Sequence, residues 1–72
     1  MKISDIMTRN VQVADPQQSI REAAATMARI DSGALLVGEG DRLVGMITDR
    51  DIAIRAVAGG LSGDTPLGRI MS

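Results

Sequence analysis

Apolar and polar residues change their period several times along the chain, and each change marks an element. Ile3, Ile6 and Met7 recur at helical spacing behind Ser4, enough for one turn within Met1 to Thr8. Arg9-Asn10 breaks that turn, Val11-Gln12-Val13 alternates like a brief strand, and Asp15-Pro16 signals a turn. Ser19-Ile20-Arg21-Glu22 is a capping box. The helix it opens runs through Arg29, with Ile20, Ala23, Ala24, Met27 and Ala28 as its apolar stripe. Asp31-Ser32-Gly33 ends it, and Gly33 is expected to take the positive φ.

Ala34-Leu35-Leu36-Val37-Gly38 is continuously apolar, which predicts a strand buried on both faces. Glu39-Gly40-Asp41 is a hairpin loop, and Arg42 to Ile47 is the returning strand. A second helix is predicted from about Asp49 to Ala58, with Ile52, Ala53, Ala56 and Val57 facing inward until Gly59-Gly60 stops it. Leu61 to Asp64 forms a loop. Thr65-Pro66 then resembles an N-cap with Pro at the first helical position.

The junction of the returning strand with the second helix carries the candidate chemistry. Gly45 leaves room for a close approach, Thr48 occupies the N-cap position, and Asp51 follows three residues later. A strand end feeding a helix start gathers backbone N–H groups, a hydroxyl and a carboxylate at one mouth, a set that suits a ribose bearing a phosphate. The same Thr48-Asp49-Arg50-Asp51 run is also a capping box that needs no ligand. The two roles are compatible, with Thr48 serving the backbone while Asp51 faces the ligand. Asp49 and Asp51 fall on different sides of a helix, which argues against a general acid–base pair.

Composition narrows the function. The 72 residues make one small domain. With no Cys and no His, disulfides and the usual zinc sites are excluded. With no aromatic residue, the core must be aliphatic and is eked out by five Met, so help from a partner surface is expected. Eight basic against nine acidic residues, without a basic stripe or stacking aromatics, argue against nucleic acid. No apolar stretch is long enough to span a bilayer, and the first residues lack a secretory signal, which points to the cytoplasm. The lone Lys2 and the absence of His and Cys leave no nucleophile–base constellation. Gly38 to Gly40 lacks the Gly-Lys-Ser/Thr ending of a phosphate loop.

The chain ends as it begins. Ile3-Ser4-Asp5-Ile6-Met7-Thr8 aligns with Leu67-Gly68-Arg69-Ile70-Met71-Ser72 at a constant offset, with Ile and Met identical at two positions. The repeat falls just after a β-α-β-β-α unit. Together with Ser19-Ile20-Arg21-Glu22-Ala23-Ala24, Gly33-Ala34-Leu35-Leu36-Val37 and the Gly45-x-x-Thr48-x-x-Asp51 pattern, it makes the chain resemble a CBS domain, named after cystathionine β-synthase. More narrowly, it resembles the first half of a small bacterial protein with two such domains.

The resemblance implies an α+β fold: β-α-β-β-α, with a three-stranded mixed sheet and two helices on one face. It implies a CBS domain over residues 1–65, comprising an N-terminal linker turn at 1–10 and a core at 11–58, with residues 66–72 opening a second, truncated repeat. It implies that two domains pair through their sheets into a Bateman module, so that either a following half or a second copy (a homodimer) completes the cleft. An adenosyl ligand is expected in that cleft: AMP, ADP or ATP first, S-adenosylmethionine or NAD after, with no further cofactor and no metal. By analogy Asp51 holds the ribose hydroxyls and Thr48 bonds phosphate or ribose. Thr8, Asn10, Val11, Ala34 and Leu35 belong to the adenine-contacting segments, and Arg50 is a phosphate contact that the family pattern does not fix. Arg9 lies beside one of those segments. The function expected is a non-enzymatic regulatory module. Its rival is a pure dimerisation or protein-interaction module, and a small enzyme borrowing groups from a partner is a third reading.

Overall fold

The computed structural model describes residues 2–5 and 12–72. The expected first strand is observed as β1, Val13–Ala14; the part of it expected at Val11 lies outside the described residues. Helix α1 spans Ile20–Ile30, β2 spans Ala34–Glu39, and β3 spans Arg42–Thr48. Helix α2, Asp49–Asp51, continues as a π-helix over Ile52–Val57. Short 3₁₀ turns cover Ile3–Asp5 and Leu67–Arg69. The strands lie in the order β1-β2-β3, the first pair parallel and the second antiparallel, so the sheet is mixed as expected. No helix among the described residues is long and apolar enough to cross a membrane.

The capping box at the start of α1 forms as its sequence predicts. Ser19 Oγ accepts from Glu22 N at 3.0 Å, and Ser19 N donates to Glu22 Oε1 at 3.3 Å. The next orphan donors of the helix, Ile20 N and Arg21 N, are satisfied from far along the chain, by Thr65 O and Gly63 O, each at 2.9 Å. At its other end the left-handed residue is Asp31, φ 54°, and not Gly33. Aspartate tolerates that conformation better than most residues, so the helix closes two residues before the glycine.

One side of the sheet carries the core. Leu35, Val37 and Ile47 face it together with Ile20, Ala23 and Met27 of α1 and Ala56 of the π-helix. On α1, Ala24 is only half-buried and Ala28 is exposed, so the buried stripe is narrower than predicted. Leu67 and Ile70 complete the core and are among its most deeply buried side chains. The segment after Pro66 therefore packs into this domain. Pro66 itself, not Thr65, is the residue preceding the 3₁₀ turn, and it offers no side-chain cap. A prolyl ring carries neither hydroxyl nor N–H.

The opposite face is open. Register places Val13, Leu36 and Met46 side by side, with Ala34 beside Thr48. Leu36 is half-buried and Met46 is 42% exposed, so β2 is not buried on both faces as the apolar run suggested. At the hairpin end of this face Gly38 is buried, and a Cβ there would run into the Ile3 side chain beside Val13; toward β3, Met46 stays exposed. A register shift between Val37 and Gly38 leaves Val44 as the extra residue in β3, 41% exposed.

The second helix also differs from expectation. From Ala53 onward its bonds span five residues, as in Ala58 N to Ala53 O at 3.0 Å and Leu61 N to Ala56 O at 2.9 Å. The wider turn breaks the predicted stripe: Ala56 is buried and Ile52 half-buried, but Ala53 is exposed and Val57 is 73% exposed.

Candidate functional site

The mouth is built where β3 becomes α2. Thr48 keeps extended backbone, φ −119° and ψ 163°, while Asp49 to Asp51 are helical. Two reciprocal bonds fix the change of direction: Asp51 N donates to Thr48 Oγ1 at 3.1 Å, and Thr48 N donates to Asp51 Oδ2 at 3.0 Å. The capping reading of this run is therefore realised. Asp49 N donates to Gly33 O at 2.9 Å, which ties the helix start to the chain just ahead of β2. The Asp49 side chain also lies beside Gly33, where a Cβ would be 2.9 Å from Asp49 Oδ2.

Capping uses one carboxylate oxygen of Asp51 and leaves the other. Asp51 Oδ1 lies 3.8 Å from Arg55 Nε, beyond hydrogen-bond range, and the Asp51 side chain is 15% exposed. The mouth thus holds a fixed, mostly buried carboxylate with an acceptor oxygen to spare, suited to a donor pair such as a vicinal diol.

The structure brings some of the expected residues together and separates others. Ala34 pairs with Thr48, which places it at the mouth on the open face. Leu35 is 3% exposed and faces the core, so only its backbone lies near the mouth. Arg50 is exposed on the first turn of α2. Thr8, Asn10 and Val11, like Arg9, lie outside the described residues. Arg55 was not anticipated, although its i,i+4 spacing from Asp51 is a readable signal. Nor was the neighbour of Gly45: a Cβ there would collide with the carbonyl of Ser72. Gly45 does admit a close approach, by the chain's own last residues. Among the described residues no cluster of acidic side chains could hold a metal ion.

Comparison with known proteins decides the family. The family model for the CBS domain matches residues 3–57. The chain belongs to the CBS-domain family. CBS-domain proteins are regulatory modules, and the architecture found here is theirs. The chain is 46% identical over 70 residues to the CBS domain-containing protein YhcV of Bacillus subtilis, covering 97% of this chain and 50% of that protein. It superposes with a TM-score of 0.81 on the crystal structure of Hypoxic Response Protein I with two coordinated zinc ions, at 38% identity over 99% of this chain and 61% of that one. A cystathionine β-synthase domain protein fused to a Zn-ribbon-like domain gives a TM-score of 0.82 at 30% identity, covering 86% of this chain and 90% of that one. The chain spans about half the length of YhcV. Zinc is a property of the protein that holds it; this CBS domain has neither His nor Cys.

Proposed function

We propose that this CBS domain is a non-enzymatic, cytoplasmic regulatory module that binds an adenosine nucleotide in the cleft formed when two CBS units pair. One observation carries the reading. Thr48 and Asp51, locked together by the capping box, stand with Ala34 at the end of the sheet face that exposes Met46. Ligand and second unit would then share that face. The remaining oxygen of Asp51 takes the ribose hydroxyls, and Thr48 and Arg50 lie toward the phosphate. Thr8, Asn10 and Val11 complete the adenine side with the backbone around Ala34 and Leu35. AMP, ADP and ATP are the first candidates, with S-adenosylmethionine behind them. The second unit is another CBS domain, in the same protein or in a homodimer.

Calorimetric titration with AMP and ATP tests this. Asp51→Asn keeps an oxygen for the cap and removes the charge that strengthens hydroxyl hydrogen bonds. It is expected to weaken binding about tenfold or more. Equal affinity for parent and variant would remove Asp51 from the site. The rival reading, an interaction module without a ligand, draws on the exposed Val44 and Met46. It predicts paired chains and no heat with any adenosyl compound.

A further inference from the structure

Arg55 touches both the mouth and the segment after Pro66. Its Nε lies 3.8 Å from Asp51 Oδ1, and its Nη1 donates to Ile70 O at 3.1 Å. The guanidinium is a rigid planar fork, so the two contacts are not independent. Ile70 is 2% exposed, wedged in the core with Leu67. Two residues on, Ser72 exchanges both backbone bonds with Met46: Met46 N to Ser72 O and Ser72 N to Met46 O, each 2.9 Å. The segment thus closes on β3 two residues before Thr48.

We propose that Arg55 is a positioning residue linking the Asp51 carboxylate to the closure of Leu67–Ser72 on β3. The attraction of Asp51 holds the guanidinium where it can also reach the Ile70 carbonyl. A ligand hydroxyl that takes Oδ1 takes the oxygen Arg55 faces, and closure of the segment weakens. By linkage, opening the segment favours the ligand. This regulatory half rests on the nucleotide-binding reading above; the link between Asp51, Arg55 and the segment does not.

Amide exchange at Met46 reads closure directly, because its N–H bonds Ser72 O. Exchange at Met27, in the middle of α1, reports global stability. In the ligand-free protein, Arg55→Ala should speed Met46 exchange about fivefold, and Met27, which exchanges through global unfolding, by no more than that factor. Asp51→Asn should speed it about twofold to threefold, and the double variant should be no faster than Arg55→Ala alone. Arg55→Lys keeps the charge but not the fork, and should restore only part of the protection. Independent effects of the two substitutions, or full protection in Arg55→Lys, would overturn the link. Saturating AMP should then speed Met46 exchange in the parent and not in Arg55→Ala. AMP that binds without speeding it overturns the regulatory half. AMP that does not bind defeats the nucleotide reading, while the ligand-free comparison still decides the role of Arg55.

Discussion

Two glycines flank the mouth and differ in what a methyl group would meet. At Gly45 an added Cβ runs into the Ser72 carbonyl, which is backbone held by two hydrogen bonds and cannot move alone. At Gly33 the obstacle is the carboxylate end of the exposed Asp49, which can swing into water. Gly45→Ala should therefore cost about 1–2 kcal/mol through forced backbone displacement. Gly33→Ala should stay within about 0.5 kcal/mol, since the lost side-chain position is offset by a less flexible unfolded chain. Urea denaturation of the two variants checks the contrast, and equal losses would mean that Asp49 is as fixed as Ser72. From sequence, Gly45 could be read as a point of close approach but its neighbour could not, because Ser72 lies far along the chain. The Thr48–Asp51 box was legible because it is local: all its donors and acceptors lie within four residues.

At the scale of elements, local signals again decided what could be read. The capping box of α1 and the hairpin from β2 to β3 are short-range patterns, and both formed. The hairpin loop is one residue tighter than predicted, because Glu39 stays in β2 and pairs with Arg42. The conversion of the second helix to π geometry was not legible. Its apolar spacing fits an ordinary helix, whereas the wider turns run over Ile52–Val57 and end in the bond from Leu61 N to Ala56 O. Burial of the last segment was hidden for another reason. Leu67 and Ile70 echo Ile3 and Ile6, which drew attention to the start of a repeat and away from their packing here. In the structure Leu67 is fully buried, and the neighbouring loop completes the N-terminus of α1 through Thr65 O and Gly63 O. Leu67→Ala should then behave as a core truncation, costing about 2–5 kcal/mol, with a midpoint shift in urea at unchanged slope. A cost below about 0.5 kcal/mol would mean that the segment is an appendage with no share in this core.

At the scale of the whole molecule, the distribution of exposed apolar side chains points to how two units meet. Val44 and Met46 lie with β3 on the open face, near Thr48 at its end, whereas Ile54 and Val57 project from the π-helix on the other layer of the domain. A second unit on the sheet would cover Val44 and Met46 together with Leu36 and Val13, and would place its own surface beside the mouth. A unit on the π-helix would leave both the sheet and the mouth in water. The first arrangement removes contiguous apolar area and completes a cleft in one step, so it is the pairing expected of this chain. Met46→Asp puts a charge in the middle of that face without touching the core, because Met46 is 42% exposed. It should weaken self-association at least tenfold in sedimentation equilibrium, roughly 1.4 kcal/mol or more, and weaken AMP binding in parallel. Val57→Asp, at a side chain 73% exposed, should change neither. If Val57→Asp dissociates the pair while Met46→Asp leaves it intact, the units meet through their helices, and the mouth must bind its ligand without a second sheet across from it.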